Sequence, residues 1–261
     1  MRRGTFRLGC MYRSGNPALT DATFDKRAYS DAPWWDDQES TMMSMEGTTE
    51  KTGILLIIIA TTAIGTAIFM PEAGALAFFG AIAGFILAMV IIFTNSTSAP
   101  LICSYSFCQG LFLGGITWIY EQSFPRIGIL AVVLTLGILG AMLTIYRAGL
   151  ISWSKNLQIA LGSAVLAILV IYLVSIIGMF VGFNVPYIHE ATPPGILFSI
   201  FVVGIASLCL VADFDFIERG VERGAPKQLE WRAAFGLMVT LIWLYLEILK
   251  LLAKLAIASR R

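Results

Sequence analysis

Charge is what this chain has least of. Asp, Glu, Lys and Arg make up 13% of its 261 residues, where a soluble domain carries about 25%. The few charges cluster between long apolar stretches, and 57% of the residues are hydrophobic, with a mean hydropathy of +0.80. A water-soluble core could not hide so many consecutive apolar side chains, whereas hydrocarbon can surround them on every side. A net charge of +1 offers no large field to nucleic acid, so no nucleic-acid partner is expected. Histidine is nearly absent: His189 stands alone. The four cysteines form no CxxC, which excludes a Cys/His zinc set and a disulfide framework. Cys103, Cys108 and Cys209 lie in apolar stretches as small packing side chains, and Cys10 lies in the polar N-terminal region. HExxH, GxSxG and glycine-rich nucleotide loops are also missing. An enzyme is therefore not expected, and no catalytic residue, resident cofactor or firm metal ligand is assigned.

An early apolar run is missing too. Residues 1–52 are polar and carry Arg2, Arg3, Arg7 and Arg13, so a signal peptide is not expected. Residues 31–50 mix Pro, Gly, Ser, Thr and acidic groups without period, which predicts a flexible tail over 1–52. Residues 53–261 then form one membrane domain.

What the chain has in abundance is apolar runs of spanning length. Crossing about 30 Å of hydrocarbon takes roughly 20 residues of helix, and seven segments qualify: 53–70, 73–93, 99–120, 127–146, 157–182, 195–215 and 232–257. Pro71-Glu72, Thr94–Ser98, Glu121–Arg126, Arg147–Asn156, Phe183–Pro194 and the charged stretch Glu218–Glu230 punctuate them. Gly220, Gly224 and Pro226 argue that this last stretch is not one uninterrupted helix. None of the segments alternates as a barrel strand does, so their backbone polar groups are satisfied within each segment as helix. The predicted fold is an all-α polytopic membrane protein, a bundle of seven transmembrane helices whose main partner is the lipid bilayer.

Orientation follows from Lys and Arg near the span ends. With the N-terminus cytoplasmic, thirteen basic residues fall inside and four (Arg126, Lys254, Arg260 and Arg261) fall outside, with Lys250 within the last span. The expectation is N-in and C-out. The C-terminal basic cluster supports an alternative in which the last segment re-enters or lies in the interface. Within the bundle, small residues permit close approach. Gly80 and Gly84, followed by Gly110 and Gly114 at the same spacing, predict that the second and third helices pack closely, and the fourth has Gly137 and Gly140. Trp118, Tyr120 and Trp153 read as interfacial anchors.

Acidic residues inside apolar helices are the candidate functional groups. A carboxylate in hydrocarbon must protonate, pair or face water. Asp213 and Asp215 close the sixth segment in LCLVADFDFIERG, and Glu247 lies within the seventh in LIWLYLEILKLLAKL. Two close carboxyl groups would share one proton and act as a pH-dependent contact. For Glu247 the competing reading is a structural pair with Lys250, three residues on along the same face. Asp213 and Asp215 also read as ordinary end-of-helix charges. Glu72 and Glu121, at turns on the predicted outer side, are candidates for an acidic cation mouth or plain solvated turn residues.

These elements in this order resemble the Bax inhibitor-1 (transmembrane BAX inhibitor motif) family, and within it a bacterial YccA-like branch. The resemblance rests on Ala212-Asp213-Phe214-Asp215-Phe216-Ile217, on Leu244–Leu252, on Tyr120-Glu121 followed by Pro125–Gly128, and on Ser14–Leu19 in the tail. It implies a seven-helix bundle with a central last helix. It also implies a pH-sensitive leak path for cations, calcium foremost, in the bacterial inner membrane, with only transient calcium binding. Asp213 and Glu247 match the family's sensor acids of helices six and seven. Glutamate replaces the usual aspartate at 247, and Asp215 is an additional acid. A non-conducting regulator that binds other membrane proteins is the alternative. One difficulty is geometric. A seventh span beginning near Arg232 carries Glu247 roughly 22 Å along its axis, while Asp213 stays near the cytoplasmic end of the sixth.

Overall fold

A segment surrounded by hydrocarbon has no water to satisfy its N–H and C=O groups and must close them internally, as a helix does. The computed structural model describes residues 42–69, 73–151, 154–182 and 190–260. In chain order it places α1 Met45–Phe69, α2 Ala73–Phe93, α3 Ala99–Ser123, α4 Ile127–Arg147, α5 Lys155–Val181, α6 Pro193–Glu222 and α7 Leu229–Ala258. Each is long and apolar enough to cross a bilayer. The seven expected segments are all present, and the fold is an all-α seven-helix bundle.

Two boundaries differ from expectation by more than one helical turn. α1 begins at Met45, inside the stretch assigned to the tail. Ser44 caps its first turn by accepting from the Gly47 N–H at 2.9 Å. The chain just before it is pinned to the α6–α7 connection, where the Met43 N–H donates to the Ala225 carbonyl at 2.7 Å and Met42 bridges Pro226. Residues 42–52 are thus part of the bundle rather than of a flexible tail; residues 1–41 lie outside the described residues. At the other boundary, α6 runs on past Asp215 and through Gly220 to Glu222. The stop comes at Gly224, whose φ of +65° suits a residue without a Cβ, and Pro226 follows. Glu218 and Arg219 therefore ride on the last turns of a helix, not in a solvated loop. Asp215 binds Arg219 one turn on, at 3.0 Å, and the Tyr146 hydroxyl of α4 donates to Glu218.

α7 is the most buried of the seven helices and packs against α1, α3, α4 and α6. Its core includes Phe235, Met238, Leu241, Leu244 and Ile248. The ring of Phe235 meets Tyr105 of α3 edge-on, with centroids 4.8 Å apart. α2 and α5 are peripheral, with Phe78, Phe79, Phe85, Leu166 and Leu169 exposed on faces suited to lipid. α7 is one continuous helix of 30 residues, about 45 Å long. Its start lies beside Ala225 and Met43, while Arg260 beyond its end reaches the carbonyl of Ser123. The two ends of the described chain therefore stand at opposite ends of the bundle.

The glycine pairs divide their work. Gly80 of α2 lies against α3 so closely that a Cβ there would fall 2.7 Å from the Cys108 carbonyl oxygen and the Phe112 nitrogen. This close α2–α3 packing was expected. Gly110 and Gly114, however, face α1: added Cβ atoms would stand 1.6 Å from Thr62 Oγ1 and 2.5 Å from the Ala63 oxygen. The repeated spacing on α3 thus serves a different neighbour. Gly137 and Gly140 have nothing among the described residues within 4 Å of such a Cβ, so they mediate no close packing there.

Candidate functional site

The α6–α7 hairpin sets the positions of the buried acids. Thr240 donates to Asp213 at 2.6 Å, and Lys254 donates to Ser199 at 2.7 Å. These two contacts share one antiparallel register, which puts Glu247 level with Ala206 rather than with Asp213. Seven residues of helix separate Thr240 from Glu247, about 10 Å along the axis. The shared-proton contact between Asp213 and Glu247 is therefore not made in this structure. The expected separation persists because α7 starts at Leu229 and runs unbroken. Ala206, Leu210 and Leu244, all completely or almost completely buried, fill the interval between the two acids.

Glu247 is 1% exposed and fully engaged. Lys250 Nζ lies 2.6 Å from its Oε1, and Trp243 Nε1 donates to the same oxygen at 3.2 Å. The Tyr172 hydroxyl of α5 lies 2.9 Å from Oε2 and 3.0 Å from Oε1. Trp243, Glu247 and Lys250 share a face because they are spaced by four and three residues. Among the described residues, Tyr172 is the hydrogen-bonding tip that α5 brings to this carboxylate. Such donors offset the cost of burying a carboxyl group in a low-dielectric seam.

A cavity of about 260 Å³ opens beside this group, lined by Tyr120, Tyr172, Ser199, Glu247, Lys250 and Lys254 among others. Tyr120, expected as an interfacial anchor, is part of that wall. Lys254 is 8% exposed and held by the Gly195 carbonyl at 3.0 Å as well as by Ser199. At the other level, Asp213 is fully buried and Asp215 is 8% exposed. The two aspartates lie on different sides of α6, one toward Thr240 and the other toward Arg219.

Of the candidate outer acids, Glu72 lies outside the described residues. Glu121 accepts the backbone N–H groups of Arg126 and Gly128 with its two oxygens. It thereby caps the start of α4 and favours the positive end of that helix dipole.

Sequence reasoning passed over a further buried ion pair. Glu230, 0% exposed, binds Lys51 of α1 and accepts from the Ser44 N–H at 2.9 Å and hydroxyl at 3.1 Å. Lys51 falls in the expected tail and Glu230 in the charged stretch before the last span, and only the tertiary fold brings the two together. Tyr172 and Trp243 were passed over as well. Trp243 was legible from its spacing of four to Glu247, whereas Tyr172 had no signal beyond a hydroxyl in the middle of an apolar run. Among the described residues, no three His, Cys, Asp or Glu side chains gather as metal ligands.

The chain matches the family model described as Bax inhibitor 1 like over residues 16–257. No curated protein matches it.

Proposed function

The chain belongs to the Bax inhibitor 1 like family, and on that premise we propose that it is a proton-regulated leak path for cations, calcium foremost. In this reading it sits in a bacterial inner membrane with the N-terminus cytoplasmic, in the YccA-like branch, and conducts without catalysing a reaction. The observation that carries the reading is a buried carboxylate, Glu247, on the central helix and at the wall of a polar cavity. A second buried acid, Asp213, lies two turns further along the same α6–α7 seam. A charged group inside a membrane bundle is costly to retain and marks an ion or proton pathway.

The two acids act as successive stations rather than as one pair. A cation enters from the cavity, meets Glu247, and reaches Asp213 only when the apolar layer of Leu210 and Leu244 separates. A change of protonation at either acid alters the charge in the seam and hence the packing of α6 on α7. The test is calcium flux through the purified protein in liposomes across about pH 5 to 8, the range in which folded proteins are generally most stable. Flux that depends on pH and is lost in Glu247→Gln and Asp213→Asn supports the leak. Folded protein that passes no calcium at any pH overturns it.

The full engagement of Glu247 by Lys250, Tyr172 and Trp243 favours one other reading, a non-conducting regulator that binds a membrane-protein partner. A stoichiometric partner together with zero flux would decide for it.

A further inference from the structure

We infer that Lys250 is a tethered cation that occupies the cation seat at Glu247, so that a free cation gains the carboxylate only when the lysine swings out. The inference rests on the cation-pathway reading and specifies how that site is regulated.

The position of the ammonium is that of a bound ion. Lys250 Nζ is 2.6 Å from Glu247 Oε1 and 3.3 Å from the Tyr172 hydroxyl oxygen, and it stands 4.6 Å from the centre of the Tyr172 ring. A carboxylate oxygen, a phenol oxygen and an aromatic face are the groups that attract a cation here, and the lysine takes all three. With Lys250 seated, the local charge is balanced and the carboxylate exerts little pull on a second cation.

Mobility is unequal across the pair. The Glu247 side chain is 2% exposed, whereas that of Lys250 is 34% exposed. The lysine therefore has a route to the cavity mouth on a flexible four-carbon stem, and the glutamate is fixed. Lys254, one turn further on, is held by Gly195 and Ser199 and adds positive charge to the cavity that an entering cation must pass. Tyr172 from α5, Tyr120 from α3 and Ser199 from α6 add further polar groups to the cavity wall, and Trp243 of α7 donates to the same carboxylate oxygen as Lys250. Among the described residues, Lys250 and Lys254 are the basic groups of the cavity wall. The arrangement selects for an ion able to compete with an ammonium, as a divalent cation does by its doubled charge.

The experiment uses the full chain in detergent and in liposomes, with terbium(III) as the luminescent probe of calcium-type sites, excited through Trp243. Lys250→Gln keeps a donor to Glu247 without the charge, and Lys250→Met removes both. Either is expected to bind terbium at least about tenfold more tightly than the unaltered chain, a difference of one decade in Kd. The gain should vanish when Glu247→Gln is added. A second measurement needs no variant at position 250. Reductive methylation of Lys250, read by mass spectrometry, should rise as calcium is added to the unaltered chain and stay constant in Glu247→Gln.

Unchanged terbium affinity in Lys250→Gln, a gain that survives Glu247→Gln, or lysine reactivity indifferent to calcium would each overturn the inference. Its fate is separable from that of the leak. Tight Glu247-dependent terbium binding with no flux in any variant keeps the seat and removes the leak. Glu247-dependent flux that is equal with and without Lys250 keeps the leak and removes the tethered cation.

Discussion

Thr240 Oγ1 lies 2.6 Å from Asp213 Oδ2 across the α6–α7 seam, in a contact buried on both sides. It fixes the register of the hairpin and gives a fully buried carboxyl one of its partners. Replacing Thr240 by Val keeps the shape and removes the donor. A buried acceptor that loses its partner costs about 1–3 kcal/mol, so Thr240→Val should lower thermal stability in detergent while Thr240→Ser should largely retain it. Equal stability for Val and Ser would show that the hydroxyl is dispensable to Asp213.

The two aromatic donors to Glu247 are expected to rank by geometry. Tyr172 reaches both carboxylate oxygens at 2.9 and 3.0 Å, whereas Trp243 reaches one at 3.2 Å. A hydrogen bond to a charged group contributes about 1.5–3 kcal/mol. Tyr172→Phe should fall in that range and exceed the loss caused by Trp243→Phe, once the smaller ring of the latter is allowed for by comparison with Trp243→Tyr. Thermal unfolding of the three variants in one detergent checks the order.

Glycine substitutions separate required close approach from mere frequency. At Gly110 an added methyl would collide with Thr62 and with the carbonyl oxygen of Ile59, which is 2.9 Å away. Relief requires α1 and α3 to part, and such overpacking costs about 1–3 kcal/mol. At Gly137 the space is open, and alanine removes the helix penalty of glycine, about 1 kcal/mol. Gly110→Ala should destabilise the bundle and Gly137→Ala should be neutral or stabilising. Matching losses at the two positions would contradict the packing described.

How much of this was written in the chain can be judged residue by residue. The seven spans follow from apolar run length, because a bilayer imposes a fixed thickness on every crossing. The pairing of Glu247 with Lys250 follows from their spacing on one helix face. The Gly80–Gly84 pair indicated a close neighbour, but the same spacing at Gly110 and Gly114 could not say that the neighbour is α1 instead of α2. Spacing defines a face and not what that face meets. Glu230 and Lys51 lie 179 residues apart, and each sits in a polar stretch, so nothing local marks them as a buried pair. That Asp213 and Glu247 lie at different levels was legible from the length of the seventh span, but the partner Thr240 was not: it depends on how far α6 continues past Asp215, and the local charges and Gly220 pointed to an earlier stop.

Topology offers an independent check of the bundle. Met43 is tied to Ala225 at one end, and Arg260 reaches Ser123 at the other. Reporter fusions placed at the two termini of the full chain should therefore report opposite compartments, with the N-terminal one cytoplasmic under the basic-residue asymmetry. The same compartment at both ends would require one helix to fail to span.

The Lys51–Glu230 pair makes the sharpest energetic prediction. Glu230 is completely inaccessible and Lys51 is 15% exposed, with its ammonium also 5.7 Å from the centre of the Trp231 ring. Removing only the lysine leaves a buried carboxylate whose remaining donors among the described residues both come from Ser44, and breaking such a pair one-sidedly costs about 3–5 kcal/mol. Lys51→Met should therefore destabilise strongly, and Lys51→Met with Glu230→Gln should recover much of the loss, because the neutral amide no longer needs a counter-charge. The recovery should be partial, since Gln cannot accept from Ser44 as strongly as the charged group does. The coupling energy from the four unfolding midpoints is the quantity to measure. Coupling near zero would mean that the pair contributes nothing across the α1–α7 junction. That junction would then rest on the backbone contact of Met43 with Ala225 and on the packing around it.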